Sequence, residues 1–111
     1  MRKVAKGETV IRQNDNVAAE EMFFVRSGSL TIAINGKTVE TVTRGGIFGE
    51  LALIDRSPRS ATVTAREDTV LVPIDRRTFL VFAQAMPLFA LEVMRILAER
   101  LRVMNESVAL S

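Results

Sequence analysis

The chain has 111 residues, 48% of them hydrophobic and 25% charged, with a formal net charge of +2 at pH 7. That composition is ordinary for one globular domain with a single core. Because the sequence contains no Cys and no His, it excludes disulfides, thiolate nucleophiles, imidazole bases and zinc sites of the usual kind, and it disfavours an enzyme.

Short strands separated by turns fill residues 8–74. The clearest hairpin is SLTIAINGKTVETV, in which Asn35 and Gly36 form a pair that favours a tight primed turn between two β-branched runs. SATVTA and TVLVPI give two further strands, and Pro73 indicates that the second one ends there or lies at a sheet edge. Strands of this length and spacing predict a sandwich or barrel.

A helical pattern replaces the strands from residue 75 onward. Asp75 is a suitable N-cap for RRTFLVFAQA, and Pro87 suits the first turn of a second helix that runs to near the C-terminus. Apolar residues follow steps of four and three along this second helix, at Ala90, Met94, Leu97, Leu101, Met104 and Val108. Such a stripe either packs on the barrel or forms a coiled-coil seam, and we expect a homodimer through residues 87–108.

The stretch FGELALIDRSPRSATV, residues 48–63, brings several polar groups into one short segment. Gly49 allows close backbone approach, and the N–H groups of the turn that follows it attract phosphate. Arg59 adds a fork of donors for the same anion, and Ser60 adds a hydroxyl. Glu50 repels phosphate but accepts hydrogen bonds from a sugar hydroxyl, so the set suits a compact nucleotide. The same residues are also compatible with an ion pair between Glu50 and Arg59 that holds a loop.

The full spacing is more specific than these single residues. FGELAL and PRSATV closely resemble the phosphate-binding cassette of cyclic-nucleotide-binding domains, which reads approximately F-G-E-[LI]-[AS]-L and then P-R-[AST]-A-[TS]-V. The resemblance extends over GETVIRQNDNVAAEEMFFVRSGSLTI, with RQND where xQGD is usual, and over the trailing helical segment. It therefore covers most of the chain.

This resemblance implies a mainly β fold, a β-roll or jelly roll of about eight strands followed by two C-terminal helices. It implies a single cyclic-nucleotide-binding domain over residues 1–111, with the roll at about 8–74 and the helices at about 75–111. Glu50 would bind the ribose 2′-hydroxyl, and Arg59 the exocyclic phosphate oxygens. The other ligand-binding residues that the resemblance implies are Phe48, Gly49, Leu51, Ala52, Ser60 and Ala61.

The resemblance also implies a cap over the base. In the bacterial catabolite-activator branch of the family, two polar residues of the long helix meet the adenine amino group, one of them across a dimer. Those positions fall on Met104 and Asn105, and Met104 lacks the hydrogen-bonding group. Arg100 stands where that branch has an arginine near the ribose-binding carboxylate. The predicted base cap is Arg100, Leu101, Met104 and Asn105.

Together these features predict a regulatory module and not an enzyme. Its expected ligand is cyclic AMP, with cyclic GMP as the second candidate and no metal, because Ser60 matches bacterial cyclic-AMP sensors but keeps a hydroxyl. The alternative is a ligand-free interaction or dimerisation module that keeps the fold. Scattered charges predict no nucleic-acid contact. The lack of a long apolar run or signal core predicts a cytoplasmic chain without membrane contact.

Overall fold

Two four-stranded antiparallel sheets and two helices make up the computed structural model, which describes residues 1–16, 20–53 and 58–109, and side chains as far as residue 103. The predicted β-roll followed by two C-terminal helices is confirmed. The elements are β1 Arg2–Val4, β2 Thr9–Ile11, β3 Glu21–Ser27, β4 Ser29–Ile34, β5 Lys37–Thr43, β6 Ile47–Phe48, β7 Thr62–Ala65, β8 Thr69–Asp75, α1 Arg76–Ala85 and α2 Pro87–Ala109.

Each sheet joins the beginning of the strand region to its end. The strand order is β1-β8-β3-β6 in the first sheet and β2-β7-β4-β5 in the second. Strand β1 was not expected from the sequence, because it has three residues, two of them exposed, and therefore shows no alternation of apolar and polar side chains. It exists because it pairs with β8, in a register that places Lys3 opposite Val70.

Pro73 lies inside β8 and not at its end. The register of β8 with β3 continues to Asp75 and places Pro73 opposite Phe23, whereas the register with β1 ends at Leu71. Because proline has no N–H for the ladder, it is tolerated where a strand has lost its neighbour on one side. The expected strand end at Pro73 is therefore wrong, and the expected edge holds only locally, on the side of β1.

The core lies between the two sheets and follows the period of two along the strands. In β7, Val63 and Ala65 are buried while Thr62 and Thr64 are half-buried. The rings of Phe23 and Phe48 stack with centroids 5.1 Å apart. The buried cluster contains Val4, Ile11, Phe23, Val25, Leu30, Ile32, Val42, Phe48, Val63, Ala65 and Leu71. The Phe23–Phe48 stack fixes the end of β6, where the candidate site begins.

The predicted hairpin between β4 and β5 is confirmed. Asn35 and Gly36 both have positive φ, +52° and +80°, as a tight primed turn requires. The side chain of Gln13 is bound to this turn twice: its Nε2 donates to Asn35 Oδ1 at 2.9 Å, and its Oε1 accepts from the backbone N–H of Asn35 at 2.8 Å. The hairpin tip is thereby joined to the segment that follows β2.

The chain divides into two compact units, Met1–Arg76 and Arg77–Ser111. The second unit contains almost all of α1 and the whole of α2, and both helices begin where the sequence predicts. Phe89 of α2 packs against Phe79 and Phe82 of α1, with ring centroids 5.8 Å and 5.9 Å apart. These aromatic contacts hold the two helices together.

The predicted seam on α2 is exposed only in part. Its members Met94 and Leu101 are 55% and 49% exposed, whereas Ala90 and Leu97 are half-buried. Leu91, which lies outside the predicted seam, is 57% exposed. The side chains of the last two seam residues, Met104 and Val108, lie outside the described part of the chain. The predicted homodimer through this helix stays a prediction.

Candidate functional site

A tight turn follows β6 at Gly49. Its φ of +75° is left-handed, a conformation that costs a residue with a Cβ about 1–2 kcal/mol. Glu50–Leu53 then form one turn of 3-10 helix, which begins with a hydrogen bond of 3.2 Å from the N–H of Ala52 to the carbonyl of Gly49. The single helical turn that the sequence predicts here is confirmed, and we call Glu50–Leu53 the cassette turn.

Gly49 is closely surrounded by side chains. A Cβ at this position would lie 3.3 Å from Cδ1 of Ile11, 3.4 Å from Nη1 of Arg59 and 3.6 Å from Cδ2 of Phe23. The carbonyl of Gly49 accepts a hydrogen bond from Nη1 of Arg59 at 3.5 Å. The structure therefore brings Gly49 and the Arg59 guanidinium together, and glycine at this position leaves room for the guanidinium.

The backbone of Arg59 is held on both sides by the turn after β2. The N–H of Arg59 donates to the carbonyl of Asp15 at 2.8 Å, and the N–H of Asn14 donates to the carbonyl of Arg59 at 2.7 Å. Asn14 has a φ of +72°, and Gln13 next to it donates its N–H to Oγ1 of Thr62 at 3.0 Å. Arg59 therefore starts from a fixed backbone position, which limits where its guanidinium can reach.

The charges around the Arg59 guanidinium are mostly negative. Burial lowers the pKa of Arg59 below its ordinary value, and the carboxylates of Glu21 and Glu50 oppose that shift. The guanidinium stays charged at neutral pH because its ordinary pKa lies far above 7. Glu50 is only 4% exposed, and an ionised carboxylate can only accept hydrogen bonds. The site thus offers donors to an anion at Arg59 and an acceptor for a hydroxyl at Glu50.

The arrangement of glycine, buried glutamate and arginine matches a known domain family. Residues 1–86 match the family described as the cyclic nucleotide-binding domain. The chain belongs to the cyclic nucleotide-binding domain family. The predicted membership is confirmed. The individual roles of Glu50 and Arg59, including the alternative of an ion pair that holds the loop, stay predictions.

Relatives of this cyclic nucleotide-binding domain include a protein kinase regulatory subunit and a protein kinase. The cAMP-dependent protein kinase type II regulatory subunit of Drosophila melanogaster is 41% identical over 78 residues, which are 70% of this chain and 20% of that protein. The cGMP-dependent protein kinase of Toxoplasma gondii is 37% identical over 70 residues, 63% of this chain and 7% of that protein. The chain thus spans a fifth or less of these two relatives.

The fold also matches a solved structure, of which this chain covers only a part. The Thermus thermophilus Catabolite Activator Protein superposes with a TM-score of 0.79 at 30% sequence identity, over 98% of this chain and 53% of that one. The predicted resemblance to the catabolite-activator branch therefore holds over nearly the whole chain. The superposition covers about half of the larger Catabolite Activator Protein.

The other predicted cassette residues of the domain lie around the cassette turn. Phe48 and Ala52 are buried, and Leu51, Ser60 and Ala61 are half-buried. Ser60 and Ala61 connect Arg59 to β7, so the two halves of the cassette meet at the same end of the roll. The individual binding roles of these residues stay predictions.

The predicted base cap lies on α2, in the second unit. Arg100 is half-buried and Leu101 is exposed. The side chains of Met104 and Asn105 lie outside the described part of the chain. Contact of this helix with a base therefore stays a prediction.

Three residues next to Arg59 were not recognised from the sequence: Asn14, Asp15 and Glu21. The signal for Asn14 was present, because RQND replaces the usual xQGD, and an asparagine in a glycine position indicates positive φ. Asp15 matches the last residue of xQGD, but nothing in the pattern indicated its contact with Arg59, and Glu21 gave no signal. Both reach Arg59 through pairing of distant segments, which a local pattern does not encode.

Two further findings concern metals and membranes. Among the residues that the structure describes, no group of three or more His, Cys, Asp or Glu side chains could hold a metal ion. Within the same ranges, neither helix alone has the length and hydropathy to cross a membrane, although α1 together with residues 87–103 meets that test as a strongly bent pair.

Proposed function

We propose that the chain is a regulatory module that binds a cyclic nucleotide at the cassette turn. Glu50 accepts a hydrogen bond from the ribose 2′-hydroxyl, and Arg59 donates to the exocyclic phosphate oxygens. The backbone of Ala52 and Ser60, with the Ser60 hydroxyl, completes the phosphate cradle, and Gly49 permits the close approach. The observation that carries the proposal is the meeting of the Arg59 guanidinium with Gly49 beside a buried Glu50, in a chain of this family.

The geometry around Arg59 supports an exchange of partners on binding. Its hydrogen bond to the Gly49 carbonyl is long, 3.5 Å, and a phosphate oxygen is a stronger acceptor because it carries charge. The carboxylates of Glu21 and Glu50 partly offset the lowering of the Arg59 pKa by burial, and the guanidinium stays charged at neutral pH. An incoming phosphate thus gains a donor whose backbone is already fixed, so little conformational entropy is lost on binding.

Cyclic AMP is the ligand that we propose, with cyclic GMP as the alternative. The name of the Drosophila relative refers to cyclic AMP and that of the Toxoplasma relative to cyclic GMP. In eukaryotic members of the family a threonine after the cassette arginine favours guanine, and this chain has Ser60. Because serine keeps the hydroxyl, we expect a preference for cyclic AMP that is modest and not absolute.

We further propose that residues 1–111 act as one non-catalytic cytoplasmic domain whose α2 responds to the ligand. A base that emerges from the roll leaves apolar surface in contact with water, and Leu101 is an exposed apolar side chain near the end of the described part of α2. The proposed cap is Arg100, Leu101, Met104 and Asn105, and the same helix is the proposed homodimer contact. Neither nucleic acid nor membrane is a proposed partner.

Calorimetric titration of the purified chain with cyclic AMP and cyclic GMP tests the proposal. We expect saturable one-site binding of both, tighter for cyclic AMP. The matched control is 5′-AMP, which has the same base and ribose but a dianionic phosphate that is not cyclised. A clear preference for cyclic GMP would overturn the ligand assignment alone. No heat with either cyclic nucleotide from a folded chain would mean a ligand-free interaction module.

A further inference from the structure

A second arginine contacts the far end of the cassette turn. Nη1 of Arg76 donates to the carbonyl of Leu53 at 3.2 Å, and Leu53 is the last residue of that turn. The turn therefore lies between two guanidinium groups, since Arg59 donates to the carbonyl of Gly49 at its beginning. Arg76 lies 23 positions beyond Leu53 in sequence and outside the cassette motif.

Arg76 is itself held in place by the residue that precedes β3. Its backbone N–H donates to the carbonyl of Glu20 at 3.1 Å, and its Nη1 lies 3.9 Å from Oε2 of Glu20. The adjacent pair in the ladder, Glu21 opposite Asp75, fixes the strand ends that Glu20 and Arg76 directly flank. The guanidinium thus leaves a defined point of the first sheet and reaches the cassette turn from there.

The contact satisfies a carbonyl that a short helix leaves without an intrahelical partner. The last carbonyls of any helical turn need donors from elsewhere, and a cation is the best of them because these carbonyls carry partial negative charge. Leu53 has its side chain in the core, 6% exposed. Leu53 is therefore held twice, by the hydrogen bond from Arg76 to its carbonyl and by the burial of its side chain.

We propose that Arg76 is a positioning residue for ligand binding: by holding Leu53 it keeps the cassette turn in the conformation that places Glu50 and the backbone of Ala52. This inference depends on the proposed cyclic-nucleotide binding at the same turn. When Arg59 transfers its donors from Gly49 to a phosphate, one anchor of the turn is lost, and the anchor at Arg76 remains. Without Arg76, only a fraction of free molecules has the turn in place, and the apparent dissociation constant rises in inverse proportion to that fraction.

The test compares Arg76→Ala, Arg76→Lys and Arg77→Ala with the wild-type chain by calorimetry and stopped-flow binding of cyclic AMP. We expect Arg76→Ala to raise Kd about tenfold, mainly through slower association, because the turn must form before the nucleotide is bound. Lysine keeps a cation at this position but lacks the guanidinium fork, so we expect Arg76→Lys to raise Kd about threefold above that of the wild-type chain. Arg77 is the neighbouring exposed arginine, and Arg77→Ala should bind like wild type.

Glu20→Gln separates the carbonyl contact from the ion pair. The Arg76 side chain of that pair is exposed, the Glu20 side chain is half-buried, and their charged atoms are 3.9 Å apart, so we expect less than a twofold change in Kd. All titrations are made where each variant is folded, far below the urea concentration at which half of it unfolds. If the role of Arg76 is purely structural, Arg76→Ala lowers the free energy of unfolding and leaves Kd unchanged. Wild-type affinity in folded Arg76→Ala overturns the inference alone. Absence of binding by the wild-type chain overturns the proposed function, and this inference with it.

Discussion

Arg59→Ala is the sharpest test of the candidate site. Removing one partner of a shielded charge pair costs about 2–5 kcal/mol of binding free energy. Because Arg59 is only half-buried, we expect its removal to cost about 2–3 kcal/mol, toward the lower end of that range. At roughly 1.4 kcal/mol per decade, we expect Kd for cyclic AMP to rise about 30- to 150-fold. The truncation also leaves the carboxylates of Glu21 and Glu50 without the cation that faces them both.

The two carboxylates that lose their cation in Arg59→Ala provide an internal control. In the Arg59→Ala background, Glu21→Gln removes one of two carboxylates that repel the phosphate, so we expect it to recover affinity about threefold. In the wild-type background it frees the Arg59 guanidinium from a competing carboxylate, and binding should strengthen by a similar factor. At effective dielectric constants of about 20, charges a few ångström apart interact strongly enough for such factors.

Calorimetric titration measures these affinities, and urea denaturation shows that each variant is folded. Arg66→Ala is the charge-matched control, because it removes the same unit charge from an exposed turn residue. Wild-type affinity in folded Arg59→Ala would refute the cassette assignment. Weaker binding by Glu21→Gln in the wild-type background would refute the electrostatic reasoning, since it would mean that Glu21 positions Arg59 and does not compete for it.

Three other outcomes are expected. Gly49→Ala should lower the free energy of unfolding by about 1–2 kcal/mol because of its φ of +75°. It should raise Kd about threefold, because the new Cβ would lie 3.3 Å from Cδ1 of Ile11 and 3.4 Å from Nη1 of Arg59 and the turn would have to shift slightly. Urea denaturation and calorimetry check the two effects, and unchanged affinity would show that these side chains move aside freely. Asn14→Ala should lower the free energy of unfolding by about 1 kcal/mol and Asn14→Gly should leave it unchanged, because Asn14 has a φ of +72°, which glycine adopts more easily than alanine. Equal urea midpoints of the two variants would contradict this. Hydrogen exchange should show that amides of residues 97–108 gain protection with cyclic AMP, and a gain confined to residues 49–60 would mean that the helix does not respond.

Local patterns were sufficient for the elements whose residues decide their own conformation. The hairpin at Asn35-Gly36, the limits of α1 and the start of α2 at Pro87 followed from turn, capping and proline rules. The cassette was recognised because its spacing is long and specific. These are features in which each residue type has one dominant conformational or chemical reason to be there.

Features that depend on distant pairing were missed. Strand β1 has no pattern of its own and forms only because β8 lies beside it. Pro73 was expected to end a strand or to lie at a sheet edge. The ladder with β3 carries the strand past it, and the edge exists only beyond the end of β1. The contacts of Arg76 with Leu53 and of Asn14 with Arg59 join segments far apart in the chain. Nothing in the neighbouring residues of either pair predicts its partner.

The strand order also determines when the site can form during folding. Thr9 of β2 faces Thr64 of β7, 55 positions away, and β1 pairs with β8. Such non-local pairing gives a high contact order, for which folding takes milliseconds to seconds and not microseconds. In a nascent chain, both sheets lack a central strand until residues 62–75 have been made, and those residues begin three positions after Arg59. Both sheets of the roll are therefore completed only after the whole cassette segment has been synthesised.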